Sequence, residues 1–146
     1  PKSEIKSTLS RMQNQKKIDA SLQIITCVHS DSEKAMIRAK KTLAFYVSVG
    51  KIYREFLASN GFKNETKNIF EEYEKNGLKN NHELVPESMV NELCIAGTPD
   101  ECKNQLKQFR NTGIDLPIIQ FNPTDNVLDS FDLVTSTFSE GYNWKK

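Results

Sequence analysis

The chain has 146 residues, 37% hydrophobic and 27% charged, enough for one domain whose core buries about 70% of the unfolded surface. Its 20 Lys and Arg against 19 Asp and Glu leave a net charge of +1, which excludes an electrostatic footprint for nucleic acid or an anionic membrane. No apolar run approaches the ~20 residues of a membrane span, and the polar N-terminus lacks the apolar stretch of a secretory signal.

Three cysteines, Cys27, Cys94 and Cys102, form no CxxC pair and sit among apolar neighbours. They read as reduced thiols acting as small hydrophobes, which places the chain in the cytoplasm.

Residues 1–20 are polar except at Ile5, Leu9, Met12 and Ile18, and the 5, 9, 12 spacing predicts a short helix resting on another element. LQIITCVHS, residues 22–30, is β-branched and free of Gly and Pro, the pattern of a strand buried on both faces. Ser30 with Glu33 three residues later predicts a capping box opening a long helix. That helix carries Ala35, Ala39, Leu43, Tyr46, Gly50, Tyr53 and Leu57 as its core stripe. A break is expected at Val49-Gly50 and a stop at Asn60-Gly61.

Residues 62–78 predict a second amphipathic helix, with Ile69, Phe70 and Tyr73 inward and Glu71, Glu72, Glu74 and Lys75 in solvent. GLKNNHELV reads as a loop, and Pro86 suits the first turn of a short helix bearing Met89, Val90 and Leu93. CIAG is a candidate brief strand. Thr98, Pro99 and Glu101 then spell a capping box for a helix with Cys102, Leu106 and Phe109 on one face and Gly113 at its end.

LPIIQF follows as an apolar strand, with Pro117 acceptable only where no ladder bond is needed. Asn122-Pro123 marks a turn. Val127, Leu128, Phe131, Val134 and Phe138 predict a last amphipathic helix. Short buried strands joined by helices imply an α/β fold with a parallel sheet. Two or three such strands leave open edges, which calls for a second copy, as a homo-oligomer, or for the remainder of a larger fold.

Chemical motifs are sparse. Neither GxGxxG, nor GxxxxGK[ST], nor GxSxG occurs, and His29 and His82 lack metal-ligand spacing, so no metal site is expected. His29, with Ser30 and Asp31, falls where the first strand ends, the rim on which α/β proteins position substrates. It is a candidate for orienting or protonating a substrate, with loop hydrogen bonding as the alternative. Gln120, Asn122 and Thr124 surround the C-terminal end of the last strand and offer neutral hydrogen bonds to a heterocycle or phosphate. Gln120 and Asn122 are the candidate cofactor-binding pair, against a reading in which Asn-Pro is turn chemistry alone. Asn122→Ala is accordingly expected to leave folding intact. The motif at Thr98 is fully accounted for by capping, and no catalytic acid or base is assigned.

The stretches CVHSDSEKAMIRAKKTLAFYVSVGKIYREFLASNGF, VPESMVNELCIAGTPDECKNQLKQFRNTGI and LPIIQFNP, in this order, resemble the C-terminal part of the bacterial-luciferase-like flavin- and deazaflavin-dependent oxidoreductases, in particular their methylenetetrahydromethanopterin reductase-like members. The resemblance covers about residues 22–135. It implies the C-terminal portion of a TIM-like (β/α)8 barrel: its last two β/α units with a helical insertion at 31–93, in one partial-barrel domain over 1–146 belonging to a longer chain. It also implies a deazaflavin coenzyme or FMN, held mainly by residues outside this chain, and a small-molecule substrate. No catalytic residue of the family carries over. At the exit of the last strand Gln120-Phe121-Asn122-Pro123 is bulkier than a glycine-rich turn, which bears on cofactor geometry. The function implied is hydride transfer between that cofactor and an organic substrate; the competing reading is a non-catalytic interaction or assembly module built from the same barrel.

Overall fold

A computed structural model describes residues 1–12 and 19–139, so Ile18 lies outside the described residues. Three parallel strands form one sheet in the order β2-β1-β3: β1 is Ser21–Val28, β2 Cys94–Gly97 and β3 Leu116–Phe121. β1 lies in the middle, with Ile25 to Val28 opposite Cys94 to Gly97 on one side and Ser21 to Thr26 opposite Leu116 to Phe121 on the other. Ile24 to Val28 are all buried, as a strand covered on both faces must be. The brief candidate strand CIAG is therefore real.

Pro117 sits where it does no harm. Leu116 N–H donates to Ala20 O and Asn122 N–H to Thr26 O, so even-numbered amides of β3 face β1. The missing N–H of Pro117 thus falls on the open edge of the sheet.

Seven α-helices among the described residues cover the sheet: α1 Lys2–Met12, α2 Ser32–Val49, α3 Lys51–Leu57, α4 Lys63–Asn76, α5 Glu87–Leu93, α6 Pro99–Arg110 and α7 Val127–Ser139. Alternation along the strands splits the core in two. Ile25, Cys27, Cys94 and Ala96 point to one face, against Ala35, Ala39, Leu43 and Val47 of α2, with Leu57, Ile69, Met89 and Val90 behind. Ile24, Val28 and Ile95 point to the other, against Cys102, Leu106 and Phe109 of α6 and Val134 of α7, with Ile5 of α1 at the margin. The stripe expected on α6 is buried, and of the one expected along α2 and α3 Ala35, Ala39, Leu43 and Leu57 are buried while Tyr46, Gly50 and Tyr53 are half-buried.

Gly50 separates α2 from α3 as anticipated. A Cβ there would lie 2.8 Å from Tyr46 O and 3.3 Å from Tyr53 Cβ, so the close approach admits only glycine. Arg54 of α3 reaches back to Val47 O (2.7 Å) and Ser48 O (3.1 Å), satisfying carbonyls at the C-terminus of α2, and stacks 3.5 Å over the Phe70 ring. The expected stop at Asn60-Gly61 is a kink, with Gly61 at φ 95°, inside a π-turn leading into α4.

Two expectations are corrected and a third is met in part. The N-cap of α2 is Asp31 and not Ser30: Asp31 holds an extended conformation at φ −98° and ψ 111°, and its carboxylate accepts from Glu33 N and Lys34 N. GLKNNHELV contains a 3-10 turn at Asn81–Leu84, pinned by the buried amide of Asn81 donating to Ser48 Oγ at 2.8 Å. On α7 Val134 is buried and Phe138 packs against the core as expected, joined by Ser130 and Thr137, while Val127, Leu128 and Phe131 are exposed. The apolar periodicity of α7 therefore exceeds what this chain's own sheet covers.

Candidate functional site

The C-terminal ends of the strands gather the polar side chains. α2 lies beside β3 through one polar seam at helical spacing. Arg38 Nε donates to Pro123 O (2.9 Å), Thr42 Oγ1 to Asn122 Oδ1 (3.1 Å), and Gln120 Nε2 to Tyr46 Oη (2.9 Å). Arg38 Nη1 also donates to Thr42 Oγ1 (2.9 Å). Residues 38, 42 and 46 are one turn apart, next to the apolar stripe 35, 39, 43, so the helix meets the sheet with an apolar and a polar face side by side.

The two candidate cofactor residues separate here. Asn122 is 7% exposed, and its amide is spent within the chain: Oδ1 accepts from Thr42 and Nδ2 donates to Gln120 O (2.8 Å). Its place in the seam ties it to the packing of α2 on β3, and the effect of Asn122→Ala on folding is the measurement that separates a seam role from a pocket role. Gln120 is half-buried and lines a cleft of about 300 Å³ with Gln23, Ile25, Tyr46, Tyr53 and Leu93. Thr124 keeps its hydroxyl buried and, among the described residues, without a hydrogen-bond partner.

His29 caps the end of β1, its backbone N–H donating to Gly97 O. Its ring is held from both sides. Nδ1 accepts the Asp31 N–H (2.8 Å), so the ring proton resides on Nε2, which donates to Asp125 Oδ2 (2.8 Å). Both ring nitrogens are committed, and the ring is an orienting element in this state. That hydrogen bond, with Lys34 Nζ at 3.4 Å, holds the Asp125 carboxyl below the usual aspartate range.

The N-terminus of α6 closes the same rim. Thr98 and Glu101 form the predicted capping box, with Glu101 Oε2 accepting from Thr98 N (2.7 Å) and also from Ser32 Oγ of α2 (2.9 Å). The Thr98 amide, the Ser32 hydroxyl and the Thr98 hydroxyl lower the Glu101 carboxyl. This carboxylate occupies the place an anion would take at the helix N-terminus. Gly97, at φ 145°, permits the approach: a Cβ there would lie 2.5 Å from Glu101 Oε2. The cysteines are inert by environment, since burial pushes the Cys27 and Cys102 thiols up to about 12 and that of Cys94 upward as well.

Sequence reasoning missed Arg38, Thr42 and Asp125. The first two carried a signal, their i, i+4 spacing with Tyr46 beside the apolar stripe. Asp125 carried none, being 96 residues from His29.

The comparisons with known proteins agree with this architecture. The fold is similar to that of the coenzyme F420-dependent tetrahydromethanopterin reductase from Methanopyrus kandleri, with a TM-score of 0.74 at 17% identity. The likeness covers 91% of this chain and 40% of that one, so the chain spans less than half the length of the reductase. No curated protein sequence matches. The sequence profile of the luciferase-like monooxygenases matches residues 3–116, and the chain belongs to that family.

Proposed function

We propose that the chain is the C-terminal portion of a partial or completed (β/α)8 barrel, working as an oxidoreductase that moves hydride between a deazaflavin or flavin cofactor and a small organic substrate. The observation that carries this reading is the fold shared along 91% of the chain with an F420-dependent reductase, together with membership of the luciferase-like family. β1 and β3 lie side by side and parallel, as the last two strands of a barrel do. The open edge of β3 then takes the rest of that barrel.

The cofactor, when bound, supplies the redox chemistry, and the protein supplies binding and orientation. The residues present fit a planar ring better than a phosphate. The cleft at Gln120 is lined by uncharged side chains, and the helix N-terminus of α6 is already filled by Glu101. His29, Asp31 and Asp125 hold the rim in one geometry, and the Arg38-Thr42-Asn122 seam fixes the exit of β3 against α2.

The test is the absorption spectrum of the protein purified natively from its source cells. The expected result is a flavin or deazaflavin band that bleaches when reducing equivalents are added and returns with an organic acceptor. A native protein without any such band would count against the reading. The exposed apolar side chains Val127, Leu128 and Phe131 favour a second reading, an interaction module, which predicts a stable complex with no cofactor in it.

A further inference from the structure

We propose that His29 is a pH-operated latch between the β1–α2 turn and the β3–α7 loop, closed while its ring is neutral and released on the α2 side when the ring takes a proton. The side chain is mostly buried, 16% exposed, and sits just past the end of β1. It joins two segments that are neighbours only in the fold. Nδ1 accepts the N–H of Asp31, the N-cap of α2, at 2.8 Å, and Nε2 donates at 2.8 Å to Asp125, 96 residues further along the chain.

The two contacts answer protonation in opposite ways. A neutral imidazole has one donor and one acceptor, and each is used once here. An imidazolium has two donors and no acceptor, so its Nδ1–H meets the Asp31 N–H donor against donor. The ring must turn or residues 29–31 must shift, and either movement breaks the tie to α2. The Nε2 contact strengthens instead, becoming a charge-assisted bond to a carboxylate. Three charged groups meet at this corner: Asp31 at the α2 N-cap, Lys34 in the first turn of α2, and Asp125 after β3, with Lys34 Nζ 3.4 Å from Asp125 Oδ2. The Asp31 carboxylate is turned into α2, where it accepts from Glu33 N and Lys34 N. Glu101 of α6 is held by Thr98 and Ser32, and Arg38 by Pro123 O. Protonation therefore frees the start of α2 from the end of β1 while the β3–α7 loop stays tied, at the rim where α/β sheets take ligands.

The latch is independent of the oxidoreductase reading, and the failure of either leaves the other standing. The test is NMR of the ¹⁵N-labelled protein from about pH 8 to about pH 5.5, where imidazoles titrate and ordinary carboxylates stay ionised. At the upper end the His29 ring should give the signals of the Nε2–H tautomer. As the ring protonates, the Asp31 amide resonance should move with the same midpoint. Its hydrogen-exchange protection factor should fall about three- to tenfold, the contribution of one hydrogen bond. His29→Asn puts a side-chain oxygen near the Nδ1 position and does not titrate, so Asp31 protection should stay constant across the range, with thermal unfolding as the check that the variant folds. The wild-type titration stands as a test even if that variant does not fold. The proposal is overturned if the upper-pH ring carries its proton on Nδ1, or if the ring stays neutral to the lower end. It is also overturned if Asp31 protection is unchanged as the ring protonates, or if folded His29→Asn keeps the wild-type response.

Discussion

The Thr42 hydroxyl receives the Arg38 guanidinium and donates to Asn122, and Asn122 passes the connection to the Gln120 carbonyl. Removing that hydroxyl leaves a buried acceptor and a cationic donor short of a partner, a penalty of about 1–3 kcal/mol. Thr42→Val is isosteric, so its expected loss of about 1–3 kcal/mol in urea unfolding reports the hydrogen bonds and not a cavity. At the rim, His29 and Lys34 lower Asp125, and Thr98 and Ser32 lower Glu101. A carboxyl lowered on folding contributes stability that is complete above its unfolded value, near 4, and is lost as pH falls through its folded value. Thermal midpoints should therefore drop modestly as pH falls below about 4, since both carboxyls are screened by solvent, and Asp125→Asn should flatten that drop. An Asp125→Asn profile parallel to the wild type would show that the His29 contact contributes nothing.

Among the elements, the helices were readable where period and cap chemistry agree. Thr98, Pro99 and Glu101 specify their capping box within four residues, and the structure forms both of its hydrogen bonds. Thr98→Ala should cost about 1 kcal/mol, measured by chemical denaturation, with α6 the element loosened. The α2 stripe was equally plain: Leu43 is fully buried between α2 and the sheet. Leu43→Asp places an unpaired charge in that core and should abolish the cooperative thermal transition; a folded, soluble variant would contradict the burial. The sequence pattern puts the α2 cap at Ser30, one residue short of Asp31, whose carboxylate accepts from Glu33 N and Lys34 N. The exposure of Val127, Leu128 and Phe131 on α7 was illegible for a different reason. Its apolar residues outnumber those its own sheet can cover, so periodicity marked a face without saying what it meets.

For the molecule as a whole, sequence revealed parallel strands and open edges but not the order β2-β1-β3, because strand pairing joins segments far apart in the chain. The same distance hid Asp125 from His29, and the seam from Asn122, leaving Gln120 as the candidate that reaches a cleft. Pro117 blunts the start of the open edge of β3, while Ile119 and Phe121 present amides that a further parallel strand would use. Exposed Phe131 of α7 packs edge-on against Phe121 of β3, their ring centroids 5.7 Å apart. A barrel that continues past β3 covers both features at once. Native mass spectrometry of the protein isolated from its source cells reports polypeptide mass and bound cofactor in one spectrum. The account predicts an assembly well above 16.7 kDa that carries a flavin or deazaflavin. A 16.7 kDa species with no cofactor would contradict it.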